Sequence, residues 1–218
     1  MKTLAALSIL AAAGTASAAV YVQNDTYSFP LSPGGTTVDF LAFQSVPGWN
    51  PSWILTSVEL IFDITIGANV TAENDSALNA PNFGLTLNGN ATVAMPAGLN
   101  GFAAIGGVAA SGPLGPSDGV AGSGPDYFNF GFVDDTFNGG DINFGPGPGT
   151  APYDVAGLVT ANINANAAFG FTGTTDATLI VSNLGATGNI TLIYNYIPAP
   201  GAVALMGLAG LAATRRGR

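Results

Sequence analysis

The fold of this chain is decided by one stretch, Ser57–Glu73, which has the sequence SVELIFDITIGANVTAE. Apolar residues occupy every even position from Val58 to Ala72, whereas polar residues and glycine occupy the odd positions, with only Ile61 out of step. An alternation with a period of two predicts a β-strand with one buried and one solvated face. A straight strand of this length would extend about 50 Å, so we expect a bend or bulge at Gly67 that lets it pass from one sheet to another.

Similar patterns predict strands on both sides of this stretch. Before it lie Tyr27–Leu31 and Val38–Phe43, separated by the turn residues Ser32-Pro33-Gly34-Gly35. After it, the predicted strands are Phe83–Asn88, Ala91–Met95, Tyr127–Val133, Val159–Phe169, Ala177–Ser182 and Asn189–Tyr196. Asn88-Gly89-Asn90 predicts a hairpin turn between the first two of these.

These segments together predict an all-β fold, an antiparallel β-sandwich of roughly nine strands. Helical periodicity is weak throughout, apart from a turn near Asp154–Leu158. Two segments, Leu99–Gly124 and Gly145–Pro152, are rich in Gly and Pro, and we expect them to be surface loops.

The first eighteen residues have the features of a secretory signal peptide. Lys2 precedes an apolar run at Leu4–Ala13, and the small residues Ala16-Ser17-Ala18 follow. This order predicts a signal helix that a signal peptidase removes by cleavage after Ala18, with Ala16 and Ala18 as the recognised small residues. We therefore expect the mature protein to be exported through the inner membrane and to lie outside the cytoplasm.

The last segment, residues 197–218, has three parts: Pro198-Ala199-Pro200-Gly201, an apolar run at Ala202–Ala213, and a basic end with Arg215, Arg216 and Arg218. A helix over the apolar run would be roughly 20 Å long, short against a hydrocarbon core of about 30 Å. The arginines should stay on the cytoplasmic side, and the prolines should stop the helix from extending backwards. This arrangement predicts transient membrane insertion during processing; the alternative is a buried C-terminal helix of the domain.

The order of proline motif, short apolar helix and terminal arginine cluster resembles the PEP-CTERM tail that exosortases recognise in Gram-negative bacteria. The middle glutamate of that family is Ala199 here, as in the variant that contains Val/Ile-Pro-Ala-Pro-Gly. The resemblance implies that Pro198, Ala199, Pro200 and Gly201 are recognition residues for an exosortase. It also implies that the product associates with extracellular polysaccharide.

The body of the chain, residues 19–196, resembles the choice-of-anchor E domains. The similarity consists of an early Phe-x-x-Phe segment, Trp-Ile-Leu-Thr-Ser-Val-Glu-Leu before the long alternating strand, Tyr153–Val159 before another strand, and a Tyr-rich final strand. The resemblance implies a secreted bacterial module that carries an interchangeable C-terminal anchor. No activity is implied for it.

Charge is distributed very unevenly along the chain. The four basic residues are Lys2, Arg215, Arg216 and Arg218, so residues 19–197 contain all thirteen acidic residues and no basic one, against a net charge of −9 for the whole chain. Such an acidic body repels phosphate backbones, which excludes nucleic-acid partners. Because the chain has no cysteine, stability must come from a hydrophobic core rather than from disulfides.

The missing residue types also exclude most enzyme classes. Without His, Cys, Lys or Arg, residues 19–197 cannot form a Ser–His or Cys–His pair, a Schiff-base lysine, a His/Cys zinc site or an arginine clamp. Carboxylate pairs remain, but Glu59 and Glu73 are separated by some 45 Å on a straight strand. We therefore predict that the protein is not an enzyme.

Two kinds of binding site remain open. Asp134, Asp135 and Asp141 surround a Gly-Gly pair, and their carboxylates could hold calcium; the alternative is an Asx-rich surface turn with solvated acids. A group of aromatic residues could form a platform for sugar rings, although at least half of those on one strand must belong to the core. This group comprises Trp49, Trp53, Tyr127, Phe128, Phe130 and Phe132. The two functions under consideration are thus a structural surface protein and a calcium- or glycan-binding module.

Overall fold

The computed structural model describes residues 18–32 and 34–198. This part of the chain contains eight strands and two short 3-10 helices, at Phe43–Ser45 and Pro96–Gly98. The strands are β1 (Ala19–Pro30), β2 (Gly35–Leu41), β3 (Ile54–Asn74), β4 (Ala80–Ala94), β5 (Asn100–Leu114), β6 (Tyr127–Phe144), β7 (Leu158–Thr172) and β8 (Ala177–Ile197). The all-β prediction is confirmed, whereas the predicted signal helix and C-terminal helix lie outside the described residues.

The strands form two antiparallel sheets of four strands each. Sheet 1 has the order β1-β8-β3-β6, and sheet 2 has the order β2-β7-β4-β5. One hydrophobic cluster joins the inner faces, with Leu60 and Phe62 contributed by sheet 1 and Leu87 and Ile163 by sheet 2. This face-to-face packing is consistent with the predicted β-sandwich. Within the described ranges, no helix is long and apolar enough to cross a membrane.

Strand β3 contributes a long row of buried residues to the core. Its even-numbered residues from Val58 to Ala72 are buried, as the alternation predicts, and Ile61 is exposed. A β-bulge interrupts its pairing with β8 between Gly67 and Asn69, close to the predicted bend. The expected passage to the other sheet is wrong, because the long strands β6 and β8 give β3 partners in sheet 1 along most of its length.

The predicted hairpin at Asn88-Gly89-Asn90 is also wrong. Strand β4 runs through these residues without a turn. Leu85, Leu87, Ala91 and Val93 are all buried, so the inward-facing positions keep the same phase on both sides of Gly89. A continuous strand buries all four side chains, and Gly89 itself faces β7, where a Cβ would lie 2.9 Å from the Cβ of Ala167.

Most of the predicted loop Leu99–Gly124 is the edge strand β5, which pairs with β4 from Asn100 to Leu114. Ala103 and Ile105 are buried there, while Phe102 and Val108 are exposed on the opposite face. The sequence does not reveal this strand, because many of its positions carry Gly or Ala, which hide the alternation of apolar and polar residues. The predicted segments Ala177–Ser182 and Asn189–Tyr196 are joined as β8, so the described part has eight strands instead of roughly nine.

The strand pairing defines two ends of the molecule. At one end Ala19 on β1 pairs with Tyr196 on β8, so the first and last described strands begin and finish side by side. At the other end, Asn74 of β3 pairs with Ala177 of β8. We call this second end, with the loop at residues 115–126, the distal end.

Candidate functional site

The three carboxylates of the predicted calcium site lie on β6 but do not converge. Asp134 is exposed on the outer face of sheet 1, whereas Asp135 and Asp141 face β5 across the lateral edge of the molecule. Asp135 Oδ2 accepts a hydrogen bond from the Gly106 N–H at 2.8 Å, and Asp141 Oδ2 accepts one from the Asn100 N–H at 3.0 Å. Six residues of extended strand hold Asp135 and Asp141 about 20 Å apart.

These side chains instead join the two sheets at one lateral edge. Strands β5 and β6 are edge strands of different sheets and share no backbone ladder. Besides the two carboxylates, the Asn143 Nδ2 donates to the Ala97 carbonyl oxygen at 3.3 Å. Among residues 18–32 and 34–198, no group of three or more acidic side chains is close enough together to hold a metal ion.

The opposite lateral edge is joined in a similar way, by Gln23. Its Nε2 donates to the Leu41 carbonyl oxygen at 2.9 Å, and its Oε1 accepts from the Leu41 N–H at 2.8 Å. The side-chain amide of β1 therefore occupies the place of a neighbouring strand for one residue of β2. Both lateral edges are thus closed by side chains that bind the facing backbone.

The two tryptophans of the predicted aromatic platform pack at the end where the chain termini of the domain lie. Trp49 packs against the main core cluster, with its Nε1 buried. Trp53 stacks on Tyr196, with ring centroids 4.5 Å apart, and contacts Phe43. Both tryptophans are half-buried, so the core covers much of each ring.

The aromatic residues of β6 differ in their exposure. Phe128 and Phe130 are edge-to-face, with ring centroids 4.9 Å apart. Both pack against a small hydrophobic cluster at the distal end, which contains Phe83 and Leu114. Tyr127 is half-buried. Phe132, in contrast, is 59% exposed on the outer face of sheet 1. The structure therefore leaves Phe132 as the one member of the predicted group with a largely accessible ring.

A groove of about 290 Å³ lies beside Phe132 on the outer face of sheet 1. Its floor contains Gly67 and Gly185, which pair directly across β3 and β8. A Cβ at Gly67 would lie 2.7 Å from Phe132 Cζ, so the ring covers the glycine that makes room for it. Pro30, the neighbour of Gly185 on β1, forms another part of the wall.

A β-bulge lies next to this groove. Asn183 of β8 has a φ of 57°, and the β3–β8 register shifts between Gly67 and Asn69. A positive φ is uncommon for a residue other than glycine, although Asn tolerates it better than most. Asn183 and Leu184 consequently line the groove in place of a regular ladder.

Hydroxyl and amide groups cover the sheet beside the groove. The row next to the glycines is Ser28–Thr187–Thr65–Thr136, in which Thr65 and Thr136 share a hydrogen bond of 2.7 Å. Further along, Asn189 Nδ2 donates to Asp63 Oδ2 at 2.9 Å and Thr191 Oγ1 donates to Asn24 Oδ1 at 2.7 Å. These groups offer hydrogen-bond donors and acceptors on the outer face, beside the carboxylates of Asp63 and Asp134.

The two glutamates cannot act as a catalytic pair. Glu59 and Glu73 lie on the single continuous strand β3, so the chain does not double back at Gly67 to bring them together. Fourteen residues of extended strand correspond to about 45 Å, well beyond the roughly 5–10 Å that carboxylate-catalysed glycoside hydrolysis requires.

The residues predicted for processing lie at the margins of the described part. Ala18 is exposed directly before β1, and Pro198 directly follows β8. Ala16, and Ala199, Pro200, Gly201, Arg215, Arg216 and Arg218, lie outside the described residues.

No family model matches the sequence, and no curated protein matches it. Among solved structures, the chain is similar to the structure of infectious bursal disease virus Gx strain, with 15% identity and a TM-score of 0.15. The structure of the Gt strain of the same virus is matched with 13% identity and a TM-score of 0.13. Each match covers 92% of this chain but only 50% and 49% of the viral chains, so this chain spans about half their length. TM-scores this low carry no argument.

Proposed function

We propose that this chain is an exported, non-enzymatic structural protein of the cell surface or extracellular matrix, with a β-sandwich body and an exosortase-type sorting tail. The observation that supports the non-enzymatic part is that several carboxylates accept hydrogen bonds that join strands or sheets. Asp63 accepts hydrogen bonds from both the backbone and side chain of Asn189 and so links β3 to β8. Asp39 links β2 to β7 through Thr160 Oγ1, and Asp135 and Asp141 join the two sheets.

The limits of the fold support processing at both ends. Strand β1 begins at Ala19, directly after the proposed signal peptidase site, and β8 ends at Ile197, directly before Pro198. Removal of residues 1–18 and of the segment after the proline motif would leave every strand of the described domain intact. Signal peptidase and an exosortase are the proposed processing partners.

Intact-mass analysis of the protein after membrane and medium fractionation tests this proposal. We expect a mature mass that lacks Met1–Ala18 and the segment after Pro200. A Pro198→Ala/Pro200→Ala variant should lose the second cleavage while still losing the signal peptide. A soluble species that keeps Arg215, Arg216 and Arg218 would contradict the sorting proposal.

A second candidate function is the binding of a neutral polysaccharide in the groove at Phe132. The specific observation in its favour is an exposed ring next to a Gly67–Gly185 floor and a row of hydroxyl groups. Binding sites of this kind combine an apolar surface with a few fixed polar groups. Because residues 19–197 carry thirteen acidic and no basic residues, an anionic polysaccharide would be repelled.

Affinity electrophoresis through gels that contain either a neutral glucan or alginate tests the second candidate. Retardation should occur in the glucan and not in alginate, and Phe132→Ala should abolish it. Phe144→Ala is the matched control, because Phe144 is 75% exposed on the outer face at the other end of β6. Equal retardation of the Phe132→Ala and Phe144→Ala variants would exclude the groove as the binding site.

Gly67→Ala gives a second means of testing the groove without removing the ring. The added Cβ would lie 2.7 Å from both Phe132 Cζ and Asp134 Cβ, so the ring must move. Glucan retardation should therefore fall. Gly106→Ala is the control, since a Cβ at Gly106 meets nothing within 4 Å.

A further inference from the structure

The loop at residues 115–126, which connects β5 to β6 at the distal end, is tightly held. The Gly115 N–H donates to the Pro125 carbonyl oxygen at 2.8 Å and closes the base of the loop. The Ser117 N–H donates to the Ser76 carbonyl oxygen at 2.9 Å and fixes the loop to the turn after β3. A loop anchored at its base and its side can hold functional groups in a fixed geometry.

Asp126 closes this loop with a carboxylate that is fully buried. Its Oδ2 accepts a hydrogen bond from the Asp118 N–H at 2.9 Å, and its backbone oxygen accepts one from the Asn74 N–H. Its Oδ1 is buried and has no hydrogen-bond partner among residues 18–32 and 34–198. A buried carboxylate oxygen without a partner is costly, so a bound cation would stabilise it.

Asp118 brings a second carboxylate to the same place. Its Oδ1 accepts from the Val120 N–H at 2.8 Å, which leaves Oδ2 directed at Gly124. Gly124 has a φ of 99°, and a Cβ there would lie 2.9 Å from Asp126 Oδ1 and 3.0 Å from Asp118 Cγ. The missing side chain of Gly124 therefore lets both carboxylates approach the same point of the loop backbone.

The domain at residues 19–197 has no cation of its own to place between them. Residues 19–197 contain no lysine, arginine or histidine, so no side chain of the domain can neutralise the two carboxylates. Glu73 adds a further negative charge at this end, where its Oε2 accepts from the Gly122 N–H at 3.1 Å. A cation from the solvent is the remaining counter-charge.

We propose that Asp118 and Asp126 bind a calcium ion in the loop at residues 115–126. Calcium prefers oxygen ligands in flexible geometry, and the glycine-rich loop can supply backbone carbonyls beside the two carboxylates. Magnesium requires a near-ideal octahedron and retains its waters, so it fits less well. With only two carboxylates, the expected dissociation constant is on the order of 10⁻⁴–10⁻³ M, as in extracellular modules.

Calcium titration of the full chain, stripped with EDTA, tests this site by calorimetry and by thermal unfolding. We expect one calcium ion per chain and an unfolding midpoint that rises by about 3–6 °C at ten times the dissociation constant. Magnesium chloride at the same concentration should give a smaller rise. The absence of any calcium response would overturn the proposal.

Two variants and a control locate the ion. Asp118→Asn keeps an oxygen for the Val120 N–H but removes a charge, so it should fold normally and bind calcium at least tenfold more weakly. Asp126→Asn should lose the response as well; if it fails to fold, Asp118→Asn decides alone. Asp134→Asn, an exposed residue on β6, removes the same charge elsewhere and should respond like the wild type. An Asp118→Asn variant with an unchanged calcium response would refute the assignment.

Discussion

Gln23 binds both backbone groups of Leu41 through one side-chain amide, with distances of 2.9 Å and 2.8 Å. Because β1 and β2 belong to different sheets, this pair is a direct polar link between the sheets at that lateral edge. Neighbouring antiparallel strands exchange two backbone hydrogen bonds in this way. Here the side-chain amide of Gln23 takes the place of the backbone groups of one strand.

Gln23→Ala should therefore destabilise the domain by about 1–3 kcal/mol, since it removes two hydrogen bonds and leaves the Leu41 N–H without its partner. Urea unfolding followed by circular dichroism measures the change. Thr26→Ala is the control, because Thr26 lies on the same strand with its side chain exposed on the outer face. If the two variants lose equal stability, Gln23 does not join the sheets in the way described.

Asp141→Ala should also lower the free energy of unfolding, by about 1–3 kcal/mol, because the Asn100 N–H would lose a charged acceptor. Hydrogen exchange at the Asn100 amide should accelerate at the same time. Asp134→Ala, on the same strand but exposed, should change the stability by no more than about 0.5 kcal/mol. Unchanged exchange at Asn100 in the Asp141→Ala variant would argue against the link between β5 and β6.

Three buried tyrosines make the fold sensitive to alkaline pH. Burial raises the pKa of Tyr27, Tyr153 and Tyr194 above the ordinary value of 10.0, and the negative charges of Asp63 and Asp141 add to the effect for the first two. Each hydroxyl donates to a backbone carbonyl oxygen, at distances between 2.6 Å and 2.9 Å. The folded state favours the protonated phenol. The stabilisation that each tyrosine gives the folded state is therefore complete below a pH of about 10 and is lost as the pH rises further.

Each of these tyrosines should reduce the free energy of unfolding by up to about 1.4 kcal/mol per pH unit in that range. Tyr194→Phe should cost about 1 kcal/mol at neutral pH through the lost hydrogen bond, but its stability should decline less steeply above a pH of about 10. Urea unfolding at a series of pH values compares the two slopes. Parallel slopes for the wild type and the variant would show that Tyr194 does not contribute.

The sequence predicts the core strands β3 and β7, one in each sheet, because alternating apolar residues mark them. The alternation from Val58 to Ala72 identifies both the strand and its buried face, and Val159 to Ala165 does the same for β7. Ile61 breaks the pattern, and it is 44% exposed, so the phase of the pattern rather than the polarity of one residue determines burial.

The errors arise where small residues replace large ones. In β5, Gly101 lies against Phe62 and a Cβ there would collide with the ring, so an inward position carries no apolar side chain to reveal it. At Gly89, the local sequence favours a turn, but burial of Leu87 and Ala91 on the same face favours a continuous strand. In both cases tertiary packing outweighs local preference.

The candidate sites depend on contacts that the spacing of acidic residues along the sequence does not reveal. Asp134, Asp135 and Asp141 are close in sequence but lie on an extended strand, which separates them and turns them to different faces. Asp118 and Asp126 are further apart in sequence than Asp134 and Asp135, yet a closed loop brings their carboxylates to the same glycine. In the sequence, the glycines at 119, 122 and 124 between them are the feature that indicates a closed loop.

The pairing of Ala19 with Tyr196 means that the polypeptide enters and leaves the domain at one pole. Strand β8 then extends from that pole for its full 21 residues, a span of about 65 Å. Anything attached to either flank of the domain would therefore lie at this pole, and the end that bears Asp118 and Asp126 would be farthest from the attachment.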